Sequence, residues 1–476
     1  MRRIQVVKAE VGMRLKERRL GNSVWVGRFV ALALAGALAG AASGPGTASA
    51  QSLEDEQGPL PTLEITPGAA KAFRTAVLRF KQVGAPVGEE RINTLREEIE
   101  KGLAFSSVVL PLKREAYLGP EDSEALEAAG GFECDTWKQS GADAVLQGEV
   151  RRDGARLRAD LRVWDVARCK ELKVGRVAGD RDRLDQLGRI VADETVESLT
   201  GTRGVSATEI AFISDRTGQR ELYVMSADGR DARPATRSNT IKMFPEWVPD
   251  GRAILYVSYA SGQPDFHLTS RSDSVKPGPI LRNILAGRPK YRGRFDPSGE
   301  EVAVVSSVDG ASEIFTMKRR GSQPKRLTNS PAIDVSPSWS PDGKQIVFVS
   351  DRTGSPQLYV MDRDGGNLRR LTYTGSYNTS PAWSPDGRWI AYETRVRGQF
   401  DIWLIDPMGE VTFPIVEHAR SDESPSWSPD SRKIAFSSAR RGRDDIFVMD
   451  WNGENLMRLT GRSGKNIQPA WGPQSR

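Results

Sequence analysis

At 476 residues the chain can hold two or three domains with full cores. Its formal charge of +6 and pI near 9.2 suggest a polyanion-binding protein. Eight Lys/Arg and two acids lie in residues 1–50, however, so totals of 68 and 62 leave 60 basic and 60 acidic residues beyond them. Without that first stretch there is no global basic bias, and a broad electrostatic case for nucleic acid fails.

Residues 1–50 read as an export signal. A basic region ends at Arg28, an apolar run follows from Phe29 to Ala42, and Gly44-Pro45-Gly46 leads into the small residues Ala48-Ser49-Ala50. This layout predicts cleavage after Ala50 and a periplasmic product, with Met13 as an alternative start. The run is shorter than the ~20 apolar residues a membrane span needs, so an integral membrane protein is not expected. Residues 51–61, "QSLEDEQGPLP", are polar and acidic and read as a flexible arm.

From residue 62 to 204 the pattern is that of a small α/β domain. "TAVLRF" (75–80), "SVVLPL" (107–112) and "DAVLQGEV" (143–150) read as strands. "ARLRADLRVWDV" (155–166) alternates Leu157, Ala159, Leu161 and Val163 with polar neighbours, the mark of a sheet with one wet face. Ile92, Leu95, Ile99 and Leu103 share one face of a helix, and a second helix is expected over about 182–199. The only cysteines are Cys134 and Cys169. In an exported chain they could pair, and the spacing does not decide between a bridge and two buried thiols.

Beyond Val205 a long repeat begins. Its anchors are Trp247, Phe295, Trp339, Trp383, Trp427 and Trp471, spaced 48, 44, 44, 44 and 44 residues apart. Each unit reads as a short strand ending in the anchor, a Ser-Pro-Asp-Gly turn, an apolar strand, a polar loop, a third strand and a brief fourth. Four strands in about 44 residues is a propeller blade. The first unit, from Thr208, lacks its anchor strand, whereas the last, ending "QPAWGP", has nothing else. The expected fold is therefore an α/β N-terminal domain followed by an all-β six-bladed propeller (205–476) closed by its C-terminal strand, which leaves no open edge.

Catalytic signatures are missing from the sequence. His267 and His418 have no metal-ligand partners at useful spacing, no G-x-S-x-G elbow occurs, and "GRSGKN" (461–466) lacks the spacing of a phosphate loop. No cofactor is expected. One polar pattern stands out: five residues before the last four tryptophans lie Asp334, Asn378, Asp422 and Asn466, and the two earlier blades place Lys242 and Lys290 there. These positions ring one mouth of the central channel. They serve either as Asx turns entering the strand or as a polar rim that docks a partner.

The repeat "P-x-W-S-P-D-G-x-x-I-A-F", joined to "LEITPG" (63–68), "GADAVLQGEV" (141–150) and "VESLTGTRGV" (196–205), resembles the TolB family of the Tol-Pal system over residues 62–473. The resemblance implies a non-enzymatic, monomeric periplasmic adaptor whose propeller binds Pal, the peptidoglycan-associated outer-membrane lipoprotein, and whose N-terminal arm engages TolA. Such a system supports outer-membrane constriction at cell division and envelope integrity. By that resemblance the Pal contacts fall on Lys290, Tyr291, Asp334, Val335, Ser336, Asn378, Thr379, Asp422, Glu423 and Asn466. The alternatives are a propeller accessory to a periplasmic peptidase and a peptide- or glycan-binding module.

Overall fold

The computed structural model describes residues 72–474, apart from 129–131, 239, 271–277, 280–287, 309, 320 and 462. The expected signal, its cleavage point and the acidic arm lie outside the described residues.

The N-terminal domain is a sheet with strands β1 (Phe73–Val77), β2 (Lys81–Val83), β3 (Val109–Pro111), β4 (Ala144–Asp153), β5 (Arg156–Asp165) and β6 (Lys170–Asp180), in the order β3-β1-β4-β5-β6 with β2 beside β4. β1 runs parallel to β3 and β4, whereas β4, β5 and β6 form an antiparallel meander. The helices Glu89–Ser106 and Leu184–Thr200 cover one face, where Leu95, Ile99, Leu103, Leu187 and Val191 meet Val77 and Leu146. They can approach closely because a Cβ on Gly188 would stand 2.5 Å from Glu98 Cβ, and one on Gly102 2.6 Å from Ala192 Cβ. The other face buries Trp137 among Leu78, Leu126 and Val145. Here Cys134, at the start of a short helix, is disulfide-bonded to Cys169, which precedes β6.

The remainder is the expected propeller of six four-stranded sheets. Blades 2 to 6 run in chain order from their innermost strands, Lys242–Trp247, Lys290–Phe295, Asp334–Trp339, Asn378–Trp383 and Asp422–Trp427. Blade 1 is closed by Asn466–Trp471, which pairs antiparallel with Glu209–Ser214 in the register Asn466↔Ser214 and Trp471↔Ile210. Anchor indoles stitch neighbouring blades. Trp339 Nε1 donates to Arg294 O (3.1 Å), Trp427 Nε1 to Ala382 O (2.9 Å), and Trp247 Nε1 to Ala470 O (3.1 Å).

The propeller has two faces. Innermost strands begin at the loop face and end at the turn face, where the Ser-Pro-Asp-Gly turns lie. The N-terminal domain sits on the turn face at blades 1 and 6. Arg189 Nη1 meets Asp228 (3.1 Å), Arg230 Nη1 meets Glu98 (2.7 Å), and Lys433 Nζ donates to Ser107 Oγ (2.8 Å). At the junction Asp193, 3% exposed, accepts from the backbone N–H groups of Ser206 and Ala207 (2.8 Å each) and from Ser206 Oγ (2.6 Å). Burial still pushes its carboxyl up to about 6.

Candidate functional site

The loop-face mouth is built from the first residues of the six innermost strands. Each strand carries a bulge, and its third residue has positive φ: Phe244, Arg292, Ser336, Ser380, Ser424 and Gln468, at 21–58°. Register shifts at these points break the pairing in every blade. A bulge re-aims a side chain out of the pleat, and six of them line the channel wall. Arg292 alone is cationic among the six. Its Nη1 reaches Ser336 Oγ (3.3 Å) and Ser380 Oγ (3.5 Å), and burial lowers its guanidinium to about 10.

The expected rim residues are not a solvent-facing ring. Asp334, Asn378, Asp422 and Asn466 are all 0% exposed, and Lys242 and Lys290 are 2% and 3% exposed. They are also not simple Asx turns, because each looks across a seam at a polar residue near the start of the third strand in the preceding blade. That second register is Glu221, Asp265, Glu313, Gln357, Asp401 and Asp445. Lys242 Nζ faces Glu221 (3.4 Å) and Lys290 Nζ faces Asp265 (3.0 Å). Asn378 Nδ2 donates to Gln357 Oε1 (2.8 Å) and Asn466 Nδ2 to Asp445 Oδ1 (3.1 Å).

Two seams bring carboxylates together. Asp334 faces Glu313, but Arg352 Nη2 holds Asp334 through both oxygens (3.1 and 3.0 Å) and Arg326 pairs with Glu313 (2.8 Å). Asp422 faces Asp401 and keeps the matching arginine, Arg440 (2.9 Å). Asp401 has lost its own. Arg326 lies opposite Phe315 and Arg458 opposite Phe447 in their outer strands, and the residue so placed opposite Trp403 is Pro414. Burial, with the neighbouring Asp422 and Glu417, lifts the Asp401 carboxyl to about 6. Burial raises Asp334 and Asp422 as well.

Five of the expected residues at the mouth present side chains or backbone without being interred in a seam. Val335, Ser336, Thr379 and Glu423 are half-buried, and Tyr291 is 9% exposed. Burial and the neighbouring Glu393 push Glu423 up to about 8. The structure thus gathers all ten expected positions at one mouth and divides them into buried seam residues and accessible ones. Sequence reasoning passed over Arg292, although it breaks the Ser/Gln/Phe pattern at its position. It also passed over the second six-fold register, which keeps the same 44-residue beat. Among the described residues no group of three or more His, Cys, Asp or Glu side chains could hold a metal.

A family model described as the TolB beta propeller domain matches residues 196–475, and one described as the TolB amino-terminal domain matches residues 61–172. The Tol-Pal system protein TolB of Anaeromyxobacter dehalogenans (strain 2CP-1 / ATCC BAA-258) is 34% identical over 279 residues, 59% of this chain and 62% of its own length. The Tol-Pal system protein TolB of Desulfosudis oleivorans is 34% identical over 228 residues, 48% of this chain and 51% of its own. The matched stretch therefore spans less than two thirds of either relative. The crystal structure of TolB from Acinetobacter baumannii superposes with a TM-score of 0.72 at 25% identity, covering 85% of this chain and 97% of that one.

Proposed function

The chain belongs to the TolB family, and from that premise we propose that it is a periplasmic, non-enzymatic adaptor of a Tol-Pal system. In this reading the loop-face mouth binds the peptidoglycan-associated lipoprotein. The acidic arm, residues 51–61, engages TolA, and the complex supports outer-membrane constriction and envelope integrity. One observation carries the choice of face. Among the described residues the N-terminal domain's ion pairs, at Asp228, Arg230 and Asp231, and its Ser107 hydrogen bonds, at Lys433 and Asp450, fall on the turn face, so the opposite mouth is left to a second macromolecule.

The contact set is then Tyr291, Val335, Ser336, Thr379 and Glu423 by side chain. Lys290, Asp334, Asn378, Asp422 and Asn466 act by holding the loops in place. The test is capture of envelope proteins on the immobilised chain (51–476) from a detergent extract, read by mass spectrometry. A peptidoglycan-associated lipoprotein is expected on the wild type and is expected to be lost from Thr379→Arg, which blocks the mouth without disturbing a seam. Retention of a peptidase or of glycan alone would sink the adaptor reading.

A further inference from the structure

Arginines on the two faces of the propeller are used differently. On the turn face most are paired: Arg230 with Glu98 and Asp228, Arg319 with Asp250, Arg363 with Glu301, and Arg388 with Asp386, with Arg252 an exception among the described residues. On the loop face of blades 5, 6 and 1, Arg395, Arg397, Arg420, Arg441 and Arg237 are exposed, and none makes an ion pair among the described residues. Arg395 and Arg397 lie at the hairpin of blade 5 and Arg441 at that of blade 6. Arg420 and Arg237 lie on the loops leading into blades 6 and 2.

These loops are tied together. Ala439 N donates to Ser421 O (3.1 Å), joining Arg420's loop to the blade 6 hairpin, and Arg395 N donates to Tyr377 O (2.9 Å). The loop that contains Tyr377 also presents Tyr373, which is 74% exposed, with the Arg370 guanidinium 4.8 Å from its ring centroid.

We propose that this crescent of unpaired arginines, with Tyr373 at its end, is a docking surface for an acidic protein surface. The proposal rests on the adaptor reading and gives its partner a chemistry. Exposed guanidiniums cannot discharge their fields on one another and are the side chains best suited to carboxylates. An exposed tyrosine beside them supplies the aromatic anchor that protein interfaces favour. The acids on this face do not cancel the crescent. Asp215 is engaged by the Lys465 N–H (2.6 Å) and Asp444 lies 3.7 Å from Lys465 Nζ, while Glu423 is raised to about 8 by burial and Glu393. Glu393 is itself raised by burial, Asp401, which Arg397 faces, is buried and raised to about 6, and Glu417 is the exposed acid that remains.

The experiment measures binding of the chain (51–476) to two probes: the soluble domain of the same cell's peptidoglycan-associated lipoprotein, and vesicles containing phosphatidylglycerol. Wild type is compared with R397E/R420E/R441E and with the matching triple lysine variant. Because rim charges act mainly on association, the reversal variant should associate with the lipoprotein about tenfold more slowly and lose its salt dependence, with the lysine variant near wild type. Unfolding curves of all three should coincide, since the residues are exposed. If the reversal variant binds the lipoprotein normally, the crescent is refuted and the adaptor reading stands. If wild type does not bind the lipoprotein, the adaptor reading fails and takes the crescent with it. If only vesicle binding responds to charge reversal, the surface is for lipid phosphate and the proposal is wrong.

Discussion

The seam between blades 1 and 2 and the seam between blades 5 and 6 occupy equivalent places and are balanced in opposite ways. In the first, Lys242 stands against Glu221, which also accepts from Thr236 Oγ1 (2.5 Å) and Ser238 N (2.6 Å). In the second, Asp422 stands against Asp401, and Arg440 is bonded to Asp422 alone, with Arg397 only facing Asp401. A repeat fixes where the polar groups must be, because each blade brings the same two backbone positions together. It does not fix their charge. A blade-to-blade joint can be closed by an ion pair, by an amide pair such as Gln357–Asn378, or by two acids bracketed by arginines as at Glu313–Asp334. The seam at blades 5 and 6 is the one in which the bracket is incomplete.

The sharpest way to break this comparison is to remove the cation from each seam. Arg440→Ala leaves Asp422 fully buried beside a second carboxylate. Breaking a buried pair in this way costs about 3–5 kcal/mol. Lys242→Ala leaves Glu221 with two hydrogen bonds in hand, and about 2 kcal/mol is expected. Urea titration at pH 7.5, with hydrogen exchange to localise the loss, checks both. Equal costs would mean that the seams are electrostatically equivalent and that Pro414 has no consequence.

Next in size is a change of opposite sign. The Asp401 carboxyl sits at about 6 in the folded protein, above its ordinary 3.8. Its stabilising influence is therefore complete below about pH 3.8 and is lost as pH rises through 6. Asp422, Glu417 and Arg397 face it, with the His418 N–H 3.4 Å away and Arg440 behind Asp422. Asp401→Asn reproduces the uncharged pattern of the Gln357–Asn378 seam. It should match wild type at pH 4 and exceed it by about 1 kcal/mol at pH 7.5, a figure reduced for solvent screening at the mouth. A variant less stable than wild type at pH 7.5 would show that Asp401 is ionised and satisfied.

These seams also mark how far the sequence could be read. The repeat, its closure by Asn466–Trp471, the two long helices and the strands β4 and β5 all follow from period and punctuation. β6 escaped notice because "KELKVGRVAGD" lacks a clean alternation and carries a register shift near Gly175. The helices Ser123–Ala128 and Cys134–Gln139 have six residues each, too few for a 3.6-residue period to declare itself. The ten mouth positions were legible as a set because the bulged strands carry them in register. The seam burial of Lys290, Asp334, Asn378, Asp422 and Asn466 was not, since it depends on partners 21 residues upstream in the preceding blade, or 25 for Lys290. The unpaired arginines were invisible in a composition where basic and acidic residues balance, and emerge only when each is seen with or without its acid.

The smallest effect separates two tryptophans that the sequence presents as equals. Trp427 Nε1 donates across the seam to Ala382 O (2.9 Å), whereas Trp383 Nε1 turns to Gly387 O (3.4 Å) in its own Ser-Pro-Asp-Gly turn. Trp427 is 7% exposed and Trp383 is half-buried. Phenylalanine is tolerated at this place, since blade 3 has Phe295 there. Trp427→Phe removes an inter-blade hydrogen bond and strands a buried carbonyl. Trp383→Phe removes a long bond within one turn. The first should be less stable than the second by about 1 kcal/mol, and exchange of the amides in Asn378–Trp383 should quicken only in the first. If both variants lose the same stability, the indole N–H is not a stitch between blades, and the anchors act by volume alone.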